Sequence, residues 1–87
     1  MNSHILIADD QQSNLILLQK LLKSMKIEVL TANSGTHLLE LYHREGDVDI
    51  IITDIHMPGL TGLELAAKIR QGGDLKTKII ALTGSRP

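Results

Sequence analysis

An α/β domain built on a doubly wound parallel sheet is the fold class this sequence predicts, on three observations. Short apolar runs alternate with segments whose apolar residues recur at helical spacing, in the order strand, helix, strand, helix, strand, helix, strand. That alternation calls for parallel strands joined by right-handed crossovers, with helices on both faces. The run Ile50 to Ile52 is unbroken rather than alternating with polar residues, as in a strand covered on both faces. Finally, Asp9 and Asp10 close the first run and Asp54 closes the third, at the strand ends where such sheets hold ligands.

The elements follow in order. His4 to Ala8 is the first strand. Leu15, Leu18, Leu22 and Met25 recur at helical spacing, with Ser13 as the expected N-cap and Gln19, Lys20 and Lys23 between them. Ile27 to Ala32 has the length and β-branching of a second strand, broken by Asn33, Ser34 and Gly35. Leu38, Leu39, Leu41 and Tyr42 carry a second helix that Gly46 stops. The central strand spans Asp49 to Asp54, and Pro58 and Gly59 forbid its continuation. Thr61 and Glu64 stand at capping-box spacing before a third helix whose apolar face is Ala66 and Ile69, and Gly72 and Gly73 end it. Lys78 to Thr83 is the fourth strand, with Ile79 to Leu82 its apolar centre.

Composition bounds the function. At 87 residues the chain is one small domain at most. Its apolar fraction is 43% but its aromatic fraction only 1%, so the core is aliphatic and little is left for stacking on bases. The net charge of −1 sets up no cationic field for a phosphate backbone, so direct nucleic-acid binding is not expected. The chain has no Cys, which removes disulfides and thiolate zinc sites and suits a cytoplasmic location. Its apolar runs fall short of the roughly 20 residues of a membrane helix, so no membrane contact is expected.

The chemistry lies in the carboxylates. The alternation alone does not fix strand order, but a switch point beside the first strand would place strands one and three side by side, and Asp9, Asp10 and Asp54 would then converge. Such a cluster persists only if some of its members protonate or a cation sits among them. Oxygen ligands without His or Cys favour a hard ion, and Mg2+ suits a site with few protein ligands. A carboxylate beside Mg2+ is a nucleophile for a phosphoryl group, and Asp54, alone at its strand end, is the candidate. The bland alternative, in which Asp9 and Asp10 merely cap the first helix, fits an isolated pair better than a pair matched by a third Asp. His37 and His43, six apart, miss the spacing of three or four that puts two ligands on one helix face; His4 marks a strand edge.

Asp9 and Asp10 after the first strand, Asp54 followed by Met57, Pro58, Gly59 and Gly62, and Thr83 ending the fourth strand together resemble the receiver domains of two-component response regulators. The resemblance covers the whole chain and implies the flavodoxin-like strand order 2-1-3-4. It also implies that Asp54 is the phosphoacceptor and that Asp9, Asp10 and Asp54 hold Mg2+ with the backbone carbonyl of His56. Thr83 is then the switch hydroxyl, and a histidine kinase or phosphotransfer protein is the donor. Gln11, Gln12, Ser13 and Asn14 look like receivers fused to hybrid histidine kinases. Against the family pattern, the fifth strand, its terminal Lys and the fifth helix are missing, and Lys76 and Lys78 precede the fourth strand at its wrong end. The chain therefore reads as the N-terminal part of one receiver, residues 1–87, whose fourth strand becomes an exposed edge on which two copies pair.

Two other functions compete with a phosphoacceptor module. One is a truncated, phosphorylation-impaired interaction or dimerisation fragment. The other is a Mg2+-dependent aspartyl-phosphate phosphatase of the haloacid-dehalogenase type, which wants a second Asp two residues after the nucleophile, where this chain has His56. A phosphate-cradling NTPase is excluded, because no Gly-rich loop followed by Lys and Ser or Thr occurs.

Overall fold

The structure is a computed structural model that describes residues 4–82. Its strands are β1 (Ile5–Ala8), β2 (Val29–Ala32), β3 (Ile50–Asp54) and β4 (Lys78–Leu82), joined by helices α1 (Gln12–Ser24), α2 (Gly35–Glu45) and α3 (Gly62–Gln71). The strands are parallel and lie in the order β2-β1-β3-β4, the order that the resemblance to receiver domains implies. Every residue of β1 is buried, because this strand has neighbours on both edges and helices on both faces. In register, Ala8 stands beside Ala32 and Thr53, so Asp9 and Asp54 leave the sheet at the same level.

Side chains sort to the two faces with the period of the strand. Leu6, Ala8, Ala32 and Ile51 meet Leu38 and Leu41 of α2 and Leu65 and Ile69 of α3 in the larger cluster. Ile5 and Ile7 meet Leu15 of α1 in the smaller one, with Leu18, Leu22, Ile50 and Ile52 at its margin. Only one helix covers this second face, so Ile50 and Ile52 are half-buried rather than enclosed on both sides. On β4, Ile79 packs towards the larger cluster, whereas Ile80 and Leu82 are 46% and 44% exposed.

The helix ends show where local sequence governs and where it does not. Ser13 is not the N-cap of α1. Gln11 is, without a side-chain cap bond, because the Asp9 carboxylate takes the Gln11 N–H at 2.9 Å and turns the chain into the helix two residues earlier. Met25, the last of the apolar residues at helical spacing, is the C-cap of α1 and 61% exposed. Ile27 N–H donates to the Leu22 carbonyl and Lys26 N–H to that of Lys23, with Lys26 left-handed at φ 61°, the pattern of a Schellman cap. That cap consumes Ile27 and Glu28, so β2 starts at Val29 rather than Ile27. Ser34 caps α2 through the His37 N–H, and Gly46 stops it with φ 85°. The capping box forms as expected: Thr61 accepts from the Glu64 N–H, and Glu64 accepts from the Thr61 N–H. On α3 it is Leu65 with Ile69 that fills the core, while Ala66 is half-buried.

A polar staple ties α2 to the turn before β4. The Asp74 carboxylate accepts from the Tyr42 hydroxyl, the Thr77 hydroxyl and the backbone N–H groups of Lys76 and Thr77. The same Thr77 hydroxyl reaches the Val48 carbonyl at 2.8 Å, and Arg70 donates to the carbonyls of Asp74 and Thr77. The Thr77 hydroxyl, then Tyr42 and the two N–H groups, hold the Asp74 carboxyl well below the usual carboxylate range. Burial, reinforced by Asp74, pushes Tyr42 up to about 12. Because the folded state depresses its pKa, Asp74 stabilises the fold above its unfolded value, about 3.9, and that contribution is lost as pH falls below it. In urea titrations, wild type is expected to exceed Asp74→Asn by a constant margin above about pH 5 and by a shrinking one towards about pH 2. A margin independent of pH would show that the carboxylate's charge is not what the staple uses.

Candidate functional site

Strand ends build the site. Asp9, one residue beyond β1, is 6% exposed; its N–H continues the ladder to the Ala32 carbonyl at 3.1 Å. Its carboxylate is fixed by the Gln11 N–H at 2.9 Å and by Asn14 Nδ2 at 3.1 Å. Asp10 follows on the exposed rim. Asp54, the last residue of β3, is half-buried; its carboxylate accepts from the His56 N–H at 3.2 Å and its carbonyl from the Thr53 hydroxyl at 3.0 Å. One carboxylate oxygen from each of Asp9, Asp10 and Asp54 lies within 4.8 Å of the others.

At that spacing two unit charges repel by about 1 kcal/mol in water and about 3 kcal/mol at an effective dielectric constant of about 20. Among the described residues the one ion pair is Arg44 with Glu45, outside this cluster, so no Lys or Arg there offsets the repulsion. The donor set is all oxygen, which fits a hard divalent cation such as Mg2+ and not a soft metal. A cleft of about 460 Å3 lies instead at the other end of the sheet, lined by His4, Lys23, Lys26 and Glu28 among others. Chemistry rather than concavity marks the carboxylates as the site.

The loop after Asp54 is closely held. Ile55 N–H donates to the Leu82 carbonyl, Gly62 N–H donates to the Ile55 carbonyl at 3.1 Å, and Met57 is buried in the larger cluster. Gly59 has φ 77°, which glycine alone adopts freely. Gly62 stands so close to β3 that a Cβ on it would overlap the Asp54 carbonyl oxygen and lie 3.1 Å from Ile55 Cα. The start of α3 thus rests directly on the backbone of Asp54.

The structure brings Asp9, Asp10 and Asp54 together as expected and sets His56 on the exposed part of the loop beside them. Thr83 lies outside the described residues; Leu82 before it is the register partner of Asp54. Lys78 pairs with Ile50 at the start of β3, far from the carboxylates along the strand. His37 and His43 are exposed on α2. The ring of His4 donates from Nδ1 to the Asp47 carbonyl at 2.7 Å, a strand-edge contact. Sequence reasoning missed Asn14 as the side chain that orients Asp9. The signal was present, since a residue five after Asp9 falls on the first turn of α1, facing back towards it.

Comparison with known proteins agrees with this geometry. Residues 5–87 match the family model described as "Response regulator receiver domain". The chain is 44% identical over 66 residues to the virulence sensor protein BvgS of Bordetella bronchiseptica, spanning 76% of this chain and 5% of that protein. It is 34% identical over 82 residues to the two-component response regulator ORR3 of Oryza sativa, spanning 94% of this chain and 63% of that protein. Among solved structures, response regulator TrrA of Thermotoga maritima in complex with Mg(2+)-BeF superimposes with a TM-score of 0.83 at 38% identity, over 93% of this chain and 69% of that one. The structure of the Saccharomyces cerevisiae histidine phosphotransfer protein Ypd1 with the receiver domain of Ssk1 matches with a TM-score of 0.86 at 29% identity, over 99% and 66% of the two chains. Among the described residues no helix is long and apolar enough to cross a membrane. Fold, carboxylate geometry and family match coincide over one stretch, and the chain belongs to the response regulator receiver domain family.

Proposed function

We propose that this receiver takes a phosphoryl group on the Asp54 carboxylate from a histidine kinase or phosphotransfer protein. The observation that carries the reading is the convergence of Asp9, Asp10 and Asp54 within 4.8 Å at the ends of adjacent strands. An Asp54 oxygen attacks phosphorus as the P–N bond of the donor phosphohistidine breaks, and the leaving imidazole keeps the electron pair and takes up a proton. The His56 N–H holds one Asp54 oxygen in place, while Asn14 and the Gln11 N–H hold Asp9. Asp9, Asp10, Asp54 and the His56 carbonyl are the residues that would hold Mg2+. When bound, the ion supplies positive charge against the three carboxylates and the phosphoryl oxygens. Thr83 is proposed as the switch hydroxyl on the strength of its position in the family motif. The Mg(2+)-BeF complex of TrrA and the Ypd1 complex of Ssk1 support the ion and the class of donor. The similarity to a sensor protein supports a hybrid-kinase parent chain. Nothing in the comparisons favours the phosphatase alternative.

Intact mass after incubation with a small-molecule phosphodonor tests the reading. A phosphoryl adduct that forms with Mg2+ and disappears on chelation is expected. A folded chain that forms no adduct would favour the interaction reading instead.

Self-association through β4 is the second partner proposal, and the exposed Ile80 and Leu82 on the sheet's edge strand support it. Sedimentation at micromolar concentration is expected to show a species larger than one chain. A monomer that unfolds cooperatively would refute it.

A further inference from the structure

The loop between β3 and α3 has a further anchor, on a helix that contributes no carboxylate. Gly35, the first residue of α2, is buried, and a Cβ there would overlap the Leu60 carbonyl oxygen and stand 3.1 Å from Leu60 Cβ. Gly35 is not among the residues of positive φ, so the backbone does not require glycine, and helix propensity favours alanine. What the position requires is closeness to Leu60. The obstacle is backbone, which cannot swing aside as a long side chain can. Because Gly62 N–H closes the loop onto the Ile55 carbonyl, a push on Leu60 reaches both ends: the Gly62 contact with Asp54 and the His56 N–H on the Asp54 carboxylate.

We propose that Gly35 is a positioning residue for the carboxylate site: the missing side chain lets α2 abut Leu60 and so sets how the loop and His56 sit against Asp54. The inference rests on the metal reading above, and it makes cation binding and the first turn of α2 reciprocal. Whatever tightens one tightens the other.

Calorimetric titration of the whole chain with MgCl2 tests it. Gly35→Ala is expected to raise the Mg2+ Kd about tenfold, the lower range for disturbing groups that orient metal ligands. Gly72→Ala, whose added Cβ meets only ordinary contacts at 3.5 and 3.6 Å, is expected to leave the Kd unchanged. So is Tyr42→Phe, which weakens the far end of α2 without touching the loop. A folded Gly35→Ala with the wild-type Kd overturns the proposal and leaves the metal site standing. No binding by wild type, or equal binding by Asp54→Asn, overturns the metal reading and this inference with it. If Gly35→Ala does not fold, amide exchange of the wild type decides. MgCl2 is expected to slow the His37 and Leu38 amides, which bond to Ser34, but not the Gly46 amide at the other end of α2. Slowing at Gly62 with none at His37 and Leu38, or equal slowing at Gly46, would overturn it.

Discussion

Asp54→Asn is expected to abolish the phosphoryl adduct completely while leaving the fold intact. An amide does not attack phosphorus, so the chemical loss is total. The structural loss is small, because an Asn oxygen still accepts from the His56 N–H that Asp54 now holds at 3.2 Å. The cluster within 4.8 Å drops from three negative charges to two, relieving repulsion worth about 1 kcal/mol or more per pair. Without metal the variant is therefore expected to unfold at the same urea concentration as wild type or a higher one. With Mg2+ it should gain less than wild type, because binding stabilises only as far as affinity survives. Intact mass and paired unfolding curves with and without Mg2+ check both halves. An adduct that survives the substitution would move the acceptor to another residue and sink the assignment of Asp54.

Gly62→Ala is expected to destabilise the chain strongly. The new Cβ would overlap the Asp54 carbonyl oxygen and lie 3.1 Å from both the Asp54 carbonyl carbon and Ile55 Cα. All three are backbone atoms at the end of the central strand, so relief requires α3 or β3 to move. Overpacking of this kind costs about 3 kcal/mol or more, a large part of the roughly 4–13 kcal/mol that about 0.05–0.15 kcal/mol per residue gives for a chain of this length. Gly72→Ala serves as the contrast: the position has φ −75° and open surroundings, and the change is expected to be neutral or to stabilise by up to about 1 kcal/mol. Urea midpoints compare the two. Equal midpoints would mean that α3 does not bear on Asp54 as closely as described.

Features carried by a few consecutive residues were legible in the sequence. The Thr61–Glu64 capping box and the Gly46 stop depend on neighbours within a turn, and both form as read. The meeting of Asp9, Asp10 and Asp54 was legible for a different reason: the alternation puts each carboxylate at the same end of a parallel strand, and the resemblance to receiver domains supplies the order that makes the first and third strands neighbours. Reading failed where a side chain from outside the element intervened. Ser13 looked like a cap, but the Asp9 carboxylate had already taken the Gln11 N–H. Ala66 seemed to belong to the core, but α3 buries Leu65 and Ile69 and leaves Ala66 half-buried beside them. Gly35 read as a strand breaker, and its contact with Leu60 depends on how closely α2 approaches the loop. Tyr42 and Asp74, 32 residues apart, carry no local pattern that would pair them.

The strand order also governs how this chain reaches its fold. No strand pairs with a close neighbour in sequence: Ile5 stands beside Val29 and Ile50, and Ile50 beside Lys78. Every ladder must therefore close a loop of more than twenty residues before its first bond repays the lost chain entropy. The wholly buried β1 needs both β2 and β3 before its two edges are satisfied. Refolding is therefore expected to be slower than in a helical bundle of equal length.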